Sequence, residues 1–129
     1  MTLKEIFNEI KNRLNVASNF AQVDAFCGDT RTKILEACAN EGVCVCVSFE
    51  DAEVSSANAS YRIKTQTRSV VVYYVCSIGR MVYGEHLDDI EKIFSILHSL
   101  RIGNDTLQPK GFKLIDRDSV LVYALNFTI

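Results

Sequence analysis

The sequence predicts one α+β domain spanning 1–129, in which an antiparallel sheet of two hairpins carries helices packed mainly on one face, in the order α-α-β-β-α-β-β. Three observations predict it. Apolar residues recur at helical spacing near the start and again before residue 100, two pairs of β-rich runs are each separated by turn residues, and neither pair is interrupted by a crossover helix. Hydrophobic residues make up 48% of the 129. A chain of that size buries about two-thirds of the surface it exposes when unfolded, enough for one core without metal or disulfide staples.

The first helix is set by Leu3, Ile6, Phe7, Ile10 and Leu14, with Lys4, Glu5, Asn8, Glu9, Lys11 and Asn12 on its other faces. Thr2 caps it, and Glu5 three residues on completes a capping box. The stretch Val16 to Cys27 is ambiguous. A weaker second helix follows, with Asp29 as cap, Ile34, Leu35 and Cys38 on one stripe, and an end near Asn40 to Gly42.

At Val43 the period becomes that of a strand. Val43-Cys44-Val45-Cys46-Val47-Ser48-Phe49 is apolar on both faces, which predicts a central strand covered on each side, by a loop or by another subunit. Its continuation through Glu50, Asp51 and Glu53 is polar, Ser55 to Ser60 reads as a turn, and the return strand is polar from Tyr61 to Arg68 and apolar from Val70 to Val75. Antiparallel pairing therefore sets the apolar halves opposite each other as a root and the polar halves opposite each other as a projecting tip. The tip is either a solvated hairpin end or an arm that meets a neighbouring subunit, with Arg62, Lys64 and Arg68 on one face and Glu50, Asp51 and Glu53 opposite.

A third helix between Gly84 and Leu100 presents the stripe Leu87, Ile90, Ile93, Phe94, Leu97 and Leu100. Asp88, Asp89 and Glu91 stand in its early turns, Arg101 in its last, and Gly103 as its cap. Past the single proline, Phe112 to Ile115 and Val120 to Ile129 form a second hairpin turning at Asp116-Arg117-Asp118. In the closing strand Leu121, Tyr123, Leu125 and Phe127 share a face and are larger than Val120, Val122, Ala124 and Asn126, so the first set is expected to face the helices. So apolar a chain end must be tied into the sheet.

Charge and motif content exclude more than they assign. With 14 basic and 16 acidic residues the net charge is -2, which gives no field to draw nucleic acid or anionic membranes. The N-terminus is charged at once, unlike a signal peptide, no apolar run reaches the ~20 residues of a membrane span, and five cysteines read as reduced thiols of a soluble intracellular protein. GxGxxG, GxxxxGK[ST], GxSxG and HExxH are all absent. Cys44 and Cys46 project from one face of a strand and would suit two ligands of a metal. The other cysteines and the histidines lack zinc spacing, so small buried hydrophobes are the better reading and no cofactor is expected. His86 and His98 read as structural histidines rather than as half of a Cys-His pair, and Asp88-Asp89 as helix N-terminal charge rather than a carboxylate dyad. Tyr73, Tyr74, Tyr83 and Tyr123 with the nearby basic residues admit an RNA-binding sheet. The acidic balance and the missing aromatic-glycine pattern disfavour it.

The N-terminal amphipathic helix, Val43-Cys44-Val45-Cys46-Val47 leading to an acidic stretch, the Val70 to Val75 strand, the Gly84 to Leu100 helix and the ending Tyr123-Ala124-Leu125-Asn126-Phe127-Thr128 together resemble the tail-terminator-like, Mu-like tail-completion proteins of tailed phages and prophages. A closing strand of the type Tyr-x-Leu-x-Phe is typical there. A proline before the first core strand is common in that group, whereas Glu41-Gly42 stands here, and the cysteine-rich strand is unusual. The resemblance implies a structural protein and no enzyme: a homo-oligomeric ring, often a hexamer, that caps the tail tube, stops its polymerisation and joins it to the head connector. Its partners would be copies of itself, the tail tube protein and the connector proteins, in the host bacterial cytoplasm during assembly and in the virion tail or a prophage-derived tail particle. The rival class is a small-molecule-binding or cysteine-dependent enzymatic α+β domain.

Overall fold

Two long β-branched strands and a third from the end of the chain set the architecture. A computed structural model describes residues 2–18, 20–22, 42–117 and 120–129. In chain order these form α1 (Leu3–Ala17), β1 (Ala21–Gln22), β2 (Val43–Asp51), β3 (Val54–Ala57), β4 (Ser60–Ile63), β5 (Ser69–Ser77), α2 (Ile78–Val82), α3 (Glu85–Leu97), β6 (Arg101–Ile102), β7 (Asp105–Thr106), β8 (Gln108–Arg117) and β9 (Val120–Thr128). The fold is α+β. The second helix expected from Asp29 lies outside the described residues.

The main sheet has the order β1-β2-β5-β9-β8, parallel between β1 and β2 and antiparallel elsewhere. β5 pairs with β9 over its whole length, from Ser69 opposite Thr128 to Ser77 opposite Val120, so the two hairpins fuse into one sheet with the β5–β9 pair inside. One face carries Val43, Val45 and Val47, then Val70, Val72 and Tyr74, then Leu121, Tyr123, Leu125 and Phe127. These pack in one core with Ile6, Ile10 and Leu14 of α1 and Ile90, Ile93 and Leu97 of α3. The larger residues of the closing strand thus face the helices, as expected from their volumes. On the opposite face Cys44, Cys46, Ser48, Val71 and Val75 are also buried within the single chain, so their cover is intramolecular.

The capping box forms as expected, Glu5 N–H donating to the Thr2 hydroxyl and Thr2 N–H to the Glu5 carboxylate. The third helix begins directly after Gly84 as expected and differs at its C-terminal end. It stops at Leu97, because Ser99 adopts φ +58, and neither Gly103 nor Arg101 belongs to it. Gly103 instead opens the two-residue turn between β6 and β7, at φ +63. Leu87 is exposed while His86 and Asp89 are buried, so the inward stripe is rotated from the purely apolar one.

The second hairpin is longer than its apolar pattern indicates. β8 starts at Gln108, and Asp116 and Arg117 pair with Val122 and Leu121 instead of forming the turn. A polar strand exposed along almost its whole length carries no clean alternation, and irregularities at Pro109–Gly111 and Leu114–Asp116 blur it further. As the sheet edge, β8 is shielded from pairing with other chains by its proline, these bulges and its exposed charges. No helix among the described residues is long and apolar enough to cross a membrane.

Candidate subunit interface

The polar tip is built as its own small sheet. β2 and β5 stay paired as far as Asp51 opposite Ser69, with a bulge after Phe49 that redirects the ribbon. Beyond it, β3 and β4 pair from Val54 opposite Ile63 to Ala57 opposite Ser60. The turn is tighter than the Ser55 to Ser60 expectation: Asn58 and Ala59, at φ +49 and +66, make it alone. Two left-handed residues in succession match the right-handed twist of the flanking strands.

The neck between root and tip is held by a backbone bond and by the Thr67 hydroxyl. Lys64 N–H donates to the Glu53 carbonyl at 2.8 Å, Glu53 N–H to the Thr67 hydroxyl at 3.1 Å, and that hydroxyl to the Lys64 carbonyl at 2.7 Å. The Lys64 ammonium also meets the Glu53 carboxylate at 3.4 Å, an exposed pair that contributes little by itself.

Arg68 departs from its expected place beside Arg62 and Lys64. Its side chain turns inward and is almost fully buried, donating from Nε to the Ile129 carbonyl at 2.9 Å and from Nη2 to Asp105 Oδ2 at 2.8 Å. Gln66 and Ile129 backbone amides donate to the Ile129 and Arg68 carbonyls, both at 3.0 Å. Buried charge needs fixed partners, and here they come from the end of the chain after β9 and from Asp105 at the start of β7. Arg68 is therefore an anchor of the neck and is not available to a neighbour.

Glu50 is likewise engaged, accepting a hydrogen bond from the Tyr73 hydroxyl, which with burial pushes the Tyr73 phenol up to about 12. Asp51, Glu53, Arg62 and Lys64 remain at the surface. The tip itself exposes Val54 and Tyr61, large apolar groups that the charge-based expectation passed over. Tyr61, Arg62 and Ile63 also border an open groove of about 520 Å³ with Thr2, Leu3 and Lys4 at the start of α1.

At the other end of the ribbon, Asp89 accepts a bidentate pair from Arg80, Nε to Oδ2 at 2.8 Å and Nη2 to Oδ1 at 2.9 Å, and a hydrogen bond from the Tyr74 hydroxyl. Burial, then the bond to Asp89, drives the Tyr74 phenol far above its ordinary range, so it stays a donor. Asp89 is thus a buried structural carboxylate, not helix-end charge. No sequence signal marked it, since the partner Arg80 lies on a short helix, α2, that has no buried residue to betray it.

The remaining chemical candidates do not converge. Cys44, Cys46 and Cys76 are buried, Cys76 on the helix side of the sheet and the other two opposite. Among the described residues no group of three His, Cys, Asp or Glu is placed to hold a metal. His86 stacks against Tyr123 at 5.8 Å between ring centroids, and His98 is exposed beside the Ser99 hydroxyl. Tyr74 and Tyr123 face the core, whereas Tyr83 and Tyr61 are exposed on separate elements, so the tyrosines form no single stacking platform. No protein-family model matches the chain, and no curated protein matches it in sequence.

Proposed function

We propose that this protein is a structural assembly subunit of the tail-terminator-like kind: a ring of copies that caps a phage or prophage tail tube, ends its polymerisation and joins it to the head connector. The observation that carries the reading is the projecting β3–β4 tip, held at its neck by the buried Arg68 and exposing Val54 and Tyr61. A solvated hairpin end has no use for a buried arginine clamp or for two large apolar groups at its surface. The function makes and breaks no bond. Occupying the growing end of the tube denies the next tube subunit its binding surface.

Among the described residues Cys44, Cys46 and Cys76 are all buried, which disfavours thiol chemistry at these three positions, since it needs an accessible thiolate. The deciding experiment adds purified protein to polymerising tail-tube protein and measures tube lengths by electron microscopy, with light scattering of the protein alone and with tubes. Shortened tubes bearing a multi-copy ring at one end are expected. Tubes of unchanged length, with a protein that stays monomeric at high concentration and beside tubes, would overturn the reading.

A further inference from the structure

At the end of β5 opposite the tip, α2 runs from Ile78 to Val82 and buries none of its residues. Val82 is 70% and Tyr83 84% exposed, and Ile78 and Met81 also lie at the surface as an apolar patch. Isolated helices are marginal in water below about 12–15 residues, so α2 is not held by its own hydrogen bonds, and burial of apolar side chains does not replace them. Its ends add little. Ser77 makes no side-chain hydrogen bond to the helix it precedes, and Gly84, at φ +74, turns the chain directly into α3.

One side chain ties α2 down. Arg80 reaches across to α3, with its bidentate bonds to Asp89 at 2.8 and 2.9 Å and Glu85 at 3.4 Å from Nη1. The pair is largely covered, the side chains being 28% and 10% exposed, and the Tyr74 hydroxyl holds the carboxylate from below. Losing either partner leaves a covered charge unpaired, which makes this contact a strong tether for so short a segment. The flanking elements need no such tether: β5 ends at the fully buried Cys76, and α3 places Ile90, Ile93 and Leu97 in the core.

We propose that residues 78–84 form a strap that opens and closes as a unit, hinged at Ser77 and Gly84 and latched by Arg80 on Asp89. Closed, the strap rests against the start of α3. Open, it gives the Asp89 carboxylate to water while sheet and helices stay folded, because no core residue belongs to the strap. The inference invokes no second molecule and so stands apart from the assembly reading.

Native-state amide exchange of the full chain tests it, read at Val82 and Gly84 in the strap and at Val72, Val75 and Ile93 in the core. In the wild type the strap amides are expected to exchange faster than the core, by an opening that low denaturant leaves unchanged because it exposes little surface. Arg80→Met keeps the aliphatic stem and is expected to speed strap exchange by about tenfold or more relative to the core. Because that variant leaves Asp89 covered and unpaired, Arg80→Met with Asp89→Asn removes both charges and keeps an acceptor for Tyr74. The double variant is expected to unfold at a midpoint near that of the wild type while its strap still exchanges fast and chymotrypsin cuts it sooner after Tyr83. Strap and core amides that accelerate equally in both variants, or a double variant whose strap exchanges at the wild-type rate, overturn the latch. Wild-type strap amides as protected as those of the core overturn the strap itself.

Discussion

The root and the tip of the long β2–β5 ribbon are continuous in sequence and opposite in what holds them. At the root Cys44, Val45, Val72 and Cys76 are completely buried, and the ladder is one layer of a shared core. At the tip every residue from Val54 to Arg62 is exposed, and the strands are kept in place by a turn, a short ladder and the Arg68 clamp below them. Burial stabilises the root and geometry stabilises the tip. Substitutions at the root are therefore expected to unfold the protein, whereas those at the tip change what it touches.

The strongest way to break that contrast is at the core side of the closing strand. Phe127→Ala removes a fully buried ring packed on Phe94 and should destabilise the protein by about 3–5 kcal/mol in denaturant unfolding. A smaller loss would mean that the root collapses around cavities and is not close-packed.

Next in size is Asp89→Ala, which removes the shared acceptor of Arg80 and the Tyr74 hydroxyl and leaves Arg80 its contact with Glu85 at 3.4 Å. Arg80 keeps partial access to water, so the expected loss is about 2–4 kcal/mol. A double-mutant cycle with Tyr74→Phe should show coupling between the two sites, and additive losses would refute a shared network.

Arg68→Ala tests the join between the regions. It removes two charge-assisted hydrogen bonds and should cost about 1.5–3 kcal/mol. Amide exchange of β4 should speed up more than that of β5 at Val72 to Val75. Equal acceleration in both would show that root and tip unfold as one unit.

A titration sharpens the boundary where Glu50 meets Tyr73. The folded pKa of this phenol is raised from 10.0 to about 12, first by the hydrogen bond to Glu50. Protonated Tyr73 is favoured by folding, so its contribution to stability is complete below pH 10 and is lost as pH rises toward 12. Glu50→Gln should bring the phenolate absorbance transition of Tyr73 to lower pH, and an unmoved transition would contradict the bond.

The smallest effect is expected at the end of the tip. Ala59 carries φ +66 without the freedom of glycine, so Ala59→Gly should stabilise the turn locally by about 0.5–1 kcal/mol. Slower amide exchange at Tyr61 and Ile63 with an unchanged global midpoint is the expected pattern. A shift in the global midpoint would instead couple the tip to the core.

Much of the root was legible because burial writes a period into sequence. The two-residue alternation of Leu121, Tyr123, Leu125 and Phe127 assigned the helix-facing side, and Thr2 with Glu5 marked the start of α1. The interface was legible only in outline. Charge pattern put Arg68 beside Arg62 and Lys64, but a guanidinium turns wherever carboxylate and carbonyl partners converge, and Asp105 and Ile129 are distant in sequence. The exposed α2 patch had no pattern to find, since a short helix with no buried face carries no helical stripe.

Sequence by itself determined the α+β class, the apolar root and polar tip, the first helix with its cap, and the inward face of the last strand, all of which follow from local propensity and periodicity. Tertiary structure decided the β5–β9 pairing that fuses the hairpins, the inward turn of Arg68, the Tyr74–Asp89–Arg80 network and the placement of two apolar patches at opposite ends of one ribbon. Those depend on which distant groups meet, and a buried polar side chain takes its role from the partner it finds there.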